Sequence, residues 1–227
     1  MPRLKPREFL EKLRKSLTYR DEEFIALYVF KRYRDPFKVM VAVILSQNTA
    51  EANTFKAYRR LEEEVGVSVD AIASAPPEKI EEAIRPAGLW RQKARSIKYL
   101  AEYVRAGNDL EGVLAMPPEE ARRALTSIPG IGEKTVDVVL ALFRGGVVPV
   151  DTHVRRVANR LGLSKSSSYR KIREDLERFF PSDLRLEAHM YMILLGRRIC
   201  RARKPLCGVC PLRSYCEYAL KVKEIQR

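Results

Sequence analysis

The sequence predicts an all-α protein, and three observations carry that prediction. Apolar residues recur with a period near 3.6 over most of the chain, proline with acidic residues marks several helix starts, and glycines mark several ends. Strand patterns are weak, because the most extended segment, 147–150, contains a proline. We therefore expect roughly ten short helices.

The helices are marked one by one. Proline followed by acidic residues begins two of them, at 76–78 and 117–120, and the serines at 166–168 can cap a third. Three segments carry an apolar stripe on one helix face: Ile97, Leu100, Ala101 and Val104; Val136, Val139, Leu140 and Phe143; and Ile172, Leu176, Phe179 and Phe180.

Composition limits the class of partner. The chain has 227 residues, of which 46% are hydrophobic, so it is long and apolar enough for a globular core. Lys and Arg number 43 against 29 Asp and Glu, a net charge of +14, which favours a polyanion such as DNA, RNA or an anionic membrane surface. A solvated surface of a heat-stable protein is the alternative. The longest apolar runs are too short for a transmembrane span.

All four cysteines of the chain lie between positions 200 and 216, with the spacing C-x6-C-x2-C-x5-C. A local set of four thiolates is typical of a tetrahedral zinc site or an iron–sulfur cluster. Two local disulfides are the alternative. They are disfavoured because the charged N-terminal sequence has no secretory signal, which predicts a reducing cytoplasm. The four candidate metal ligands are Cys200, Cys207, Cys210 and Cys216.

A glycine-containing joint connects two predicted helices near position 130. One helix ends near Thr126 and the next begins near Gly132, and the segment between them is Ser-Ile-Pro-Gly-Ile. Glycines at 130 and 132 allow positive φ and leave backbone N–H groups uncovered, which suits a phosphate oxygen at a helix N-terminus. Ile128 and Ile131 would hold the joint in the core. This is the helix–hairpin–helix pattern, which grips the DNA backbone; an ordinary connecting loop is the alternative.

Polar residues with catalytic chemistry follow the joint. Lys134 lies in the first turn of the second helix, where the positive end of the helix dipole favours the neutral amine, a nucleophile that forms Schiff bases. Asp151 precedes the next amphipathic segment and is a candidate carboxylate, although a plain N-cap is the alternative. Asp137, one turn from Lys134, is the rival carboxylate. His153 is one of only two histidines.

Taken together, these motifs resemble the endonuclease III family of DNA base-excision glycosylases. The matching segments are spread over nearly the whole chain, in the family's order: Ile44 to Asn48, Ala87 to Ala94, Ile128 to Thr135, Val150 to His153, Gly196 to Arg198, and the four-cysteine tail.

The resemblance implies two helical domains. A six-helix barrel with the helix–hairpin–helix would cover 36–146. An iron–sulfur cluster domain built from both termini would cover 1–35 and 147–227 and hold a [4Fe–4S] cluster. DNA would bind in the groove between them.

The resemblance also implies roles for individual residues. Lys134 matches the lysine that attacks C1′ of the damaged nucleotide, and Asp151 matches the essential aspartate. Leu89 and the pair Gln47 and Asn48 match loops that wedge into the duplex, with the gap-filling residue left open between the two amides. Cations of the loop between the first two cysteines would meet phosphates. The predicted DNA-contacting residues are Gln47, Asn48, Leu89, Gly130, Ile131, Gly132, His153, Arg201 and Lys204.

Three positions depart from the family pattern. Glu133 stands where a basic residue is common, so one phosphate contact is expected to be absent. Asp137 replaces a common asparagine, which places a second carboxylate near Lys134. The register of Gln47 and Asn48 differs from the usual bacterial form.

The predicted function is a bifunctional DNA glycosylase/AP lyase that removes oxidised pyrimidines through a lysine Schiff base and β-elimination. Its partner would be double-stranded DNA containing damaged bases or abasic sites. We expect a monomer in the cytoplasm, associated with the nucleoid and not with a membrane. The alternatives are a mismatch-specific uracil/thymine or adenine glycosylase, which usually carries Ser or Tyr where Lys134 stands, and a non-catalytic DNA-binding module with structural zinc.

Overall fold

The computed structural model describes the backbone of residues 4–225 and the side chains of residues 4–221. Over that range the chain forms α-helices and short 3-10 turns without a β-strand, so the all-α prediction is confirmed. Residues 1–3 and 226–227, which the sequence analysis assigned to the domain built from both termini, lie outside the described residues.

Fourteen α-helices occur between residues 4 and 225. Two of them, at 69–74 and 110–115, have six residues, which is too short to show a periodic stripe, and this contributes to the lower number predicted from the sequence. The helices are α1 (Pro6–Ser16), α2 (Ile25–Tyr33), α3 (Pro36–Ser46), α4 (Glu51–Glu64), α5 (Val69–Ser74), α6 (Pro77–Ala83), α7 (Trp90–Arg105), α8 (Leu110–Ala115), α9 (Pro118–Thr126), α10 (Glu133–Phe143), α11 (Thr152–Leu161), α12 (Tyr169–Phe179), α13 (Arg185–Arg198) and α14 (Glu217–Ile225).

The chain divides into two compact units. One consists of Met1–Tyr19 with Gly145–Arg227, and the other of Arg20–Arg144. The first boundary differs from the one predicted between 35 and 36, because α2 packs against α3 and Phe30 stacks edge-on against Phe143 of α10 at 4.8 Å. The helix that the sequence placed with the N-terminal segment therefore belongs to the unit 20–144.

In the unit 20–144 the core is built around α3, whose residues 36–45 are buried except for Lys38. It packs against α2, α4, α7 and α10. The predicted apolar stripes of α7 and α10 face this core, with Ile97, Leu100, Val139 and Leu140 fully buried. The helix α3 is thereby held against both α7 and α10, the helices that begin at Trp90 and Glu133.

In the unit formed by both chain ends, α13 packs against α11 and α1. The helices α11 and α13 approach closely at Gly196, where an added Cβ would lie 2.8 Å from Cβ of His153. On the other side, Phe9 of α1 packs edge-on against Phe180 at 5.1 Å, and Arg14 of α1 pairs with Glu187 of α13. The N-terminal helix is thereby fixed to the C-terminal half. Across the described helices, none has the length and apolar character needed to cross a membrane.

Candidate functional site

The glycine joint between α9 and α10 is a hairpin that lies directly on α7. Gly130 has φ +85°, and a Cβ added to it would lie 1.9 Å from Oγ of Ser96, so only glycine fits. Ile128 and Ile131 are buried, whereas Gly130 and Gly132 are exposed. The hairpin therefore presents its glycine backbone outward and is anchored by its two isoleucines, as the sequence predicted.

Lys134 is exposed in the first turn of α10, immediately after the hairpin. The rival carboxylate, Asp137, lies one turn further and is fully buried. Its Oδ1 accepts a hydrogen bond from Nε of Arg122 at 2.6 Å, and Arg122 also donates to Glu119. Asp137 is enclosed in an ion pair between α9 and α10 and does not face solvent beside Lys134. We infer that its role is structural.

Asp151 is the N-cap of α11 in the other unit. Its Oδ1 accepts a hydrogen bond from the backbone N–H of Val154 at 2.7 Å, and its side chain is half-buried. Asp151 is therefore an N-cap, as the alternative interpretation predicted, and the hydrogen bond also fixes the orientation of its carboxylate. A capping role and a catalytic role do not exclude each other here, because the cap occupies one of two carboxylate oxygens.

His153 is half-buried against α13. Its Nδ1 lies 3.0 Å from Nη2 of Arg156, which also donates to the carbonyl oxygen of Gly196 at 2.9 Å. Burial lowers the pKa of His153, and the nearby Asp151 carboxylate opposes part of that shift. His153 is therefore neutral near pH 7, with one edge occupied by Arg156.

The two amides predicted to fill the gap in DNA differ in their surroundings. Nε2 of Gln47 donates to Oγ1 of Thr135 at 3.0 Å and to the carbonyl oxygen of Gly130 at 3.4 Å, so Gln47 is tied to the hairpin. Asn48 is exposed and has a left-handed backbone, φ +51°. Leu89 is likewise left-handed, φ +49°, with 57% of its surface exposed. This arrangement favours Asn48 over Gln47 as the residue available for insertion.

A residue that the sequence analysis gave no role connects these loops. Lys93 is 2% exposed, and its Nζ donates to the carbonyl oxygens of Leu45 and Ala87 and to Oγ1 of Thr49. Burial lowers its pKa to about 8, so the ammonium form still dominates at neutral pH. The sequence contained a sign that Lys93 is buried. It lies four residues before Ile97, on the apolar stripe of α7, where a lysine is uncommon.

The four cysteines converge around one cavity, which is also lined by Ile199, Arg213, Tyr218 and Ala219. In the part of the chain that the structure describes, no three His, Cys, Asp or Glu side chains are arranged to hold a single metal ion. Four thiols that line one shared space provide the ligand set of an iron–sulfur cluster.

The environment of the thiols determines how readily they ionise. Burial raises the pKa of Cys210 to about 11, and burial also raises the pKa of Cys216. Without a cation these thiols stay protonated, whereas iron displaces the protons and stabilises the thiolates. In addition, Nη1 of Arg160 lies 3.4 Å from Sγ of Cys200, where it can donate to a thiolate. The residues present therefore fit the cluster.

The loop after Cys200 carries the predicted phosphate-binding cations. Arg201 and Lys204 are exposed. Arg160 of α11 holds the backbone of this loop, because it donates to the carbonyl oxygens of Arg201 at 2.7 Å and Ala202 at 3.0 Å while its guanidinium stacks on Tyr218. The loop is thus fixed by a helix as well as by the cysteines at its ends, a contact that the local sequence could not reveal.

This helical fold with a glycine hairpin defines a class of DNA repair protein. Residues 41–182 match the HhH-GPD superfamily of base excision DNA repair proteins, and residues 200–216 match the iron–sulfur binding domain of endonuclease III. The chain belongs to the endonuclease III family: it is a DNA glycosylase with AP lyase activity and carries the family's iron–sulfur domain.

Individual relatives and structures agree with this assignment. The chain is 42% identical to endonuclease III of Sulfolobus acidocaldarius over 92% of this chain and 94% of the relative, and 31% identical to that of Escherichia coli over 98% and 99%. A structure of a non-covalent endonuclease III–DNA complex is 30% identical with a TM-score of 0.77, covering 98% of this chain and all of that one. A thermostable thymine-DNA glycosylase, 24% identical with a TM-score of 0.76 over 95% and 97% of the two chains, shares the fold.

Proposed function

We propose that this protein removes oxidised pyrimidines from double-stranded DNA and cleaves the resulting abasic site, with Lys134 as the nucleophile. The observation that supports this most directly is the placement of Lys134. It is an exposed amine in the first turn of α10, directly behind the outward-facing glycine backbone, while its neighbour Asp137 is enclosed.

In the proposed reaction the neutral amine of Lys134 attacks C1′ and the damaged base leaves with a proton. The C1′–O4′ bond of the sugar then breaks, O4′ takes up a proton, and the open-chain imine that results acidifies the C2′ hydrogen. Loss of that proton expels the 3′ phosphate and breaks the strand, and water then releases the lysine. Each step is balanced without an oxidant or reductant. An enzyme without this amine would use water and stop at the abasic site.

Asp151 would act as a carboxylate during base departure. Positive charge develops on the sugar as the glycosidic bond breaks, and an oriented carboxylate stabilises that charge and assists proton transfer. Its bond from the N–H of Val154 supplies the orientation, since it fixes Oδ1 at 2.7 Å from a helix N-terminus. The side chain therefore does not have to reorganise during the reaction.

The proposed DNA contacts use backbone and side chains from several elements. The exposed Gly130 and Gly132, on either side of Ile131, would meet a phosphate through their N–H groups, whereas the N–H of Ile131 already donates to the carbonyl oxygen of Ile128. The cations Arg201 and Lys204 would meet further phosphates. Asn48 and Leu89 would insert into the space left by the extruded nucleotide. Cys200, Cys207, Cys210 and Cys216 would hold the [4Fe–4S] cluster, which when bound cross-links the loop structurally.

We propose that the unit 20–144 contains the six-helix barrel and that the other unit is the cluster domain. The protein would act as a monomer on chromosomal DNA in the cell, since one copy supplies every residue named above. A monomer also agrees with a reaction that needs a single Lys134.

The test is borohydride trapping on a panel of duplexes that contain an oxidised pyrimidine, an abasic site, a G·T mismatch, a G·U mismatch or an A·G mismatch. Covalent protein–DNA product on the oxidised pyrimidine and the abasic site is expected, with β-elimination ends. Base release from a mismatch without strand cleavage or trapping would instead assign the protein to a mismatch-specific glycosylase.

A further inference from the structure

Lys93 makes contacts that are unusual for a buried lysine. Its Nζ has three acceptors, the carbonyl oxygen of Leu45 at 2.8 Å, Oγ1 of Thr49 at 2.6 Å and the carbonyl oxygen of Ala87 at 2.9 Å. An ammonium group has three donors, so all of them are used. The acceptors lie in two separate segments, 45–49 and 85–89, and these segments carry Asn48 and Leu89.

Thr49 completes the connection between the two segments. Its hydroxyl lies within hydrogen-bond distance of two carbonyl oxygens, that of Ala87 in the other segment and that of Gln47 in its own. Lys93, Thr49 and Ala87 therefore form a closed triangle of polar contacts. The triangle lies one residue from Asn48 and two residues from Leu89.

The two residues beside the triangle are held in an uncommon conformation. Asn48 and Leu89 both have positive φ, and both are exposed, so nothing in their own side chains holds them there. A left-handed backbone at leucine is strained and persists only where the surrounding structure fixes it. Lys93 bonds Leu45 and Thr49 on either side of Asn48 and Ala87 just before Leu89, and these contacts can supply that restraint.

We propose that Lys93 is a positioning residue that joins the segments of Asn48 and Leu89 into one DNA-inserting unit. The proposal rests on the proposed function, since it takes these two side chains as the ones that enter the duplex. Filling the core does not explain Lys93: a methionine of similar length would fill the same space without the cost of burying a charge. What methionine cannot do is bond three oxygens from two loops.

The test compares Lys93→Met with Lys98→Met. Lys98 is a matched control on the same helix, because its Nζ also donates to two carbonyl oxygens, those of Ala73 and Ala75, but these lie away from the inserting loops. Strand cleavage is measured at an abasic site in duplex DNA and at the same site in single-stranded DNA. Insertion is needed to extrude a nucleotide from a duplex, whereas a single strand requires none.

Lys93→Met is expected to lower duplex cleavage by roughly tenfold to a hundredfold, as for a small displacement of positioned groups, and to leave single-strand cleavage unchanged. Lys98→Met is expected to keep the wild-type ratio of duplex to single-strand cleavage. If Lys93→Met keeps that ratio while folded, the proposal is overturned. If wild type cleaves neither substrate, the lyase function of this site has failed instead.

A second readout does not depend on catalysis. Trp90 is the only tryptophan of the chain and adjoins Leu89. Release of the 85–89 segment in Lys93→Met should increase acrylamide quenching and lower the fluorescence anisotropy of Trp90, and Lys98→Met should change neither. Should Lys93→Met fail to fold, Thr49→Val removes one corner of the triangle with little change in volume, and the same two measurements on that variant decide. Unchanged Trp90 signals in a folded variant would contradict the proposal.

Discussion

Arg122 and Asp137 form an enclosed ion pair that joins the two helices of the hairpin. Nε and Oδ1 are 2.6 Å apart, the aspartate is fully buried, and the arginine is 6% exposed. Removing the Asp137 charge leaves the buried guanidinium with Glu119 alone, whose side chain is 61% exposed and therefore screened by water, so the loss should exceed what the pair contributes.

Asp137→Asn should therefore destabilise the fold by about 3 kcal/mol while leaving base release by the folded protein nearly unchanged. Urea unfolding measures the loss of stability. Single-turnover kinetics, at urea concentrations below the unfolding transition, measure the rate of base release. The double variant Arg122→Met with Asp137→Leu should regain much of the loss. If Asp137→Asn lowers base release as much as Asp151→Asn does, the carboxylate roles have been assigned the wrong way round.

Lys134→Ala should abolish borohydride trapping and strand cleavage, because it removes the amine that forms the Schiff base. Binding to a duplex with an abasic-site analogue should stay within a few-fold, since the hairpin backbone and not this side chain meets the phosphate. Lys79→Ala, an exposed lysine in the same unit, is the control and should trap normally. Efficient trapping by Lys134→Ala would mean that another amine does the chemistry.

Asp151→Asn should lower base release on the order of a hundredfold with little loss of stability. Asparagine is as good an N-cap as aspartate, so α11 keeps its first-turn hydrogen bond while the negative charge is lost. Asp151→Ala removes the cap as well and should cost about a further 1 kcal/mol in urea unfolding. Normal base release in a stably folded Asp151→Asn would leave the residue with a capping role alone.

Replacing Arg201 and Lys204 together by Gln should flatten the dependence of log affinity on log salt by about one to two units. The charges are lost, whereas the backbone held by Arg160 remains. An exposed cation pair on another helix, Arg170 with Arg178, provides the control for total charge. An equal slope for wild type and the loop variant would show that these cations do not neutralise phosphates.

The stability of wild type relative to Lys93→Met should rise between about pH 8 and pH 10.5. Burial lowers the pKa of Lys93 to about 8 in the folded state, against 10.5 for an exposed lysine. In that window the unfolded chain keeps the proton that the folded chain has lost, so raising the pH favours folding. Below pH 8 both states are protonated and the difference should be flat. Urea unfolding of both proteins at pH 7 and pH 10 measures this difference in the free energy of unfolding. A difference that falls as the pH rises would contradict the lowered pKa of Lys93.

The parts of the site that were predictable are those encoded locally. Gly130, Ile128 and Ile131 lie within four residues, and their types alone specify a turn with a buried anchor. Tertiary contacts were not predictable in this way. Gln47 bonds Thr135, 88 positions away, and Lys93 bonds Leu45, 48 positions away. The start of the unit 20–144 differs from the predicted domain start at residue 36 for the same reason, since only packing shows that α2 lies with α3.

The close approach of Gly130 to Ser96 has a consequence for how the enzyme would measure DNA. With no room for even a methyl group between them, the hairpin backbone packs directly on α7, the helix that Leu89 precedes. The hairpin proposed to meet the phosphate and the segment that carries Leu89 therefore both rest on the same helix, since the backbone N–H of Lys93 also donates to the carbonyl oxygen of Leu89. The footprint of the protein on DNA should therefore span the same number of nucleotides whatever the chemistry of the lesion.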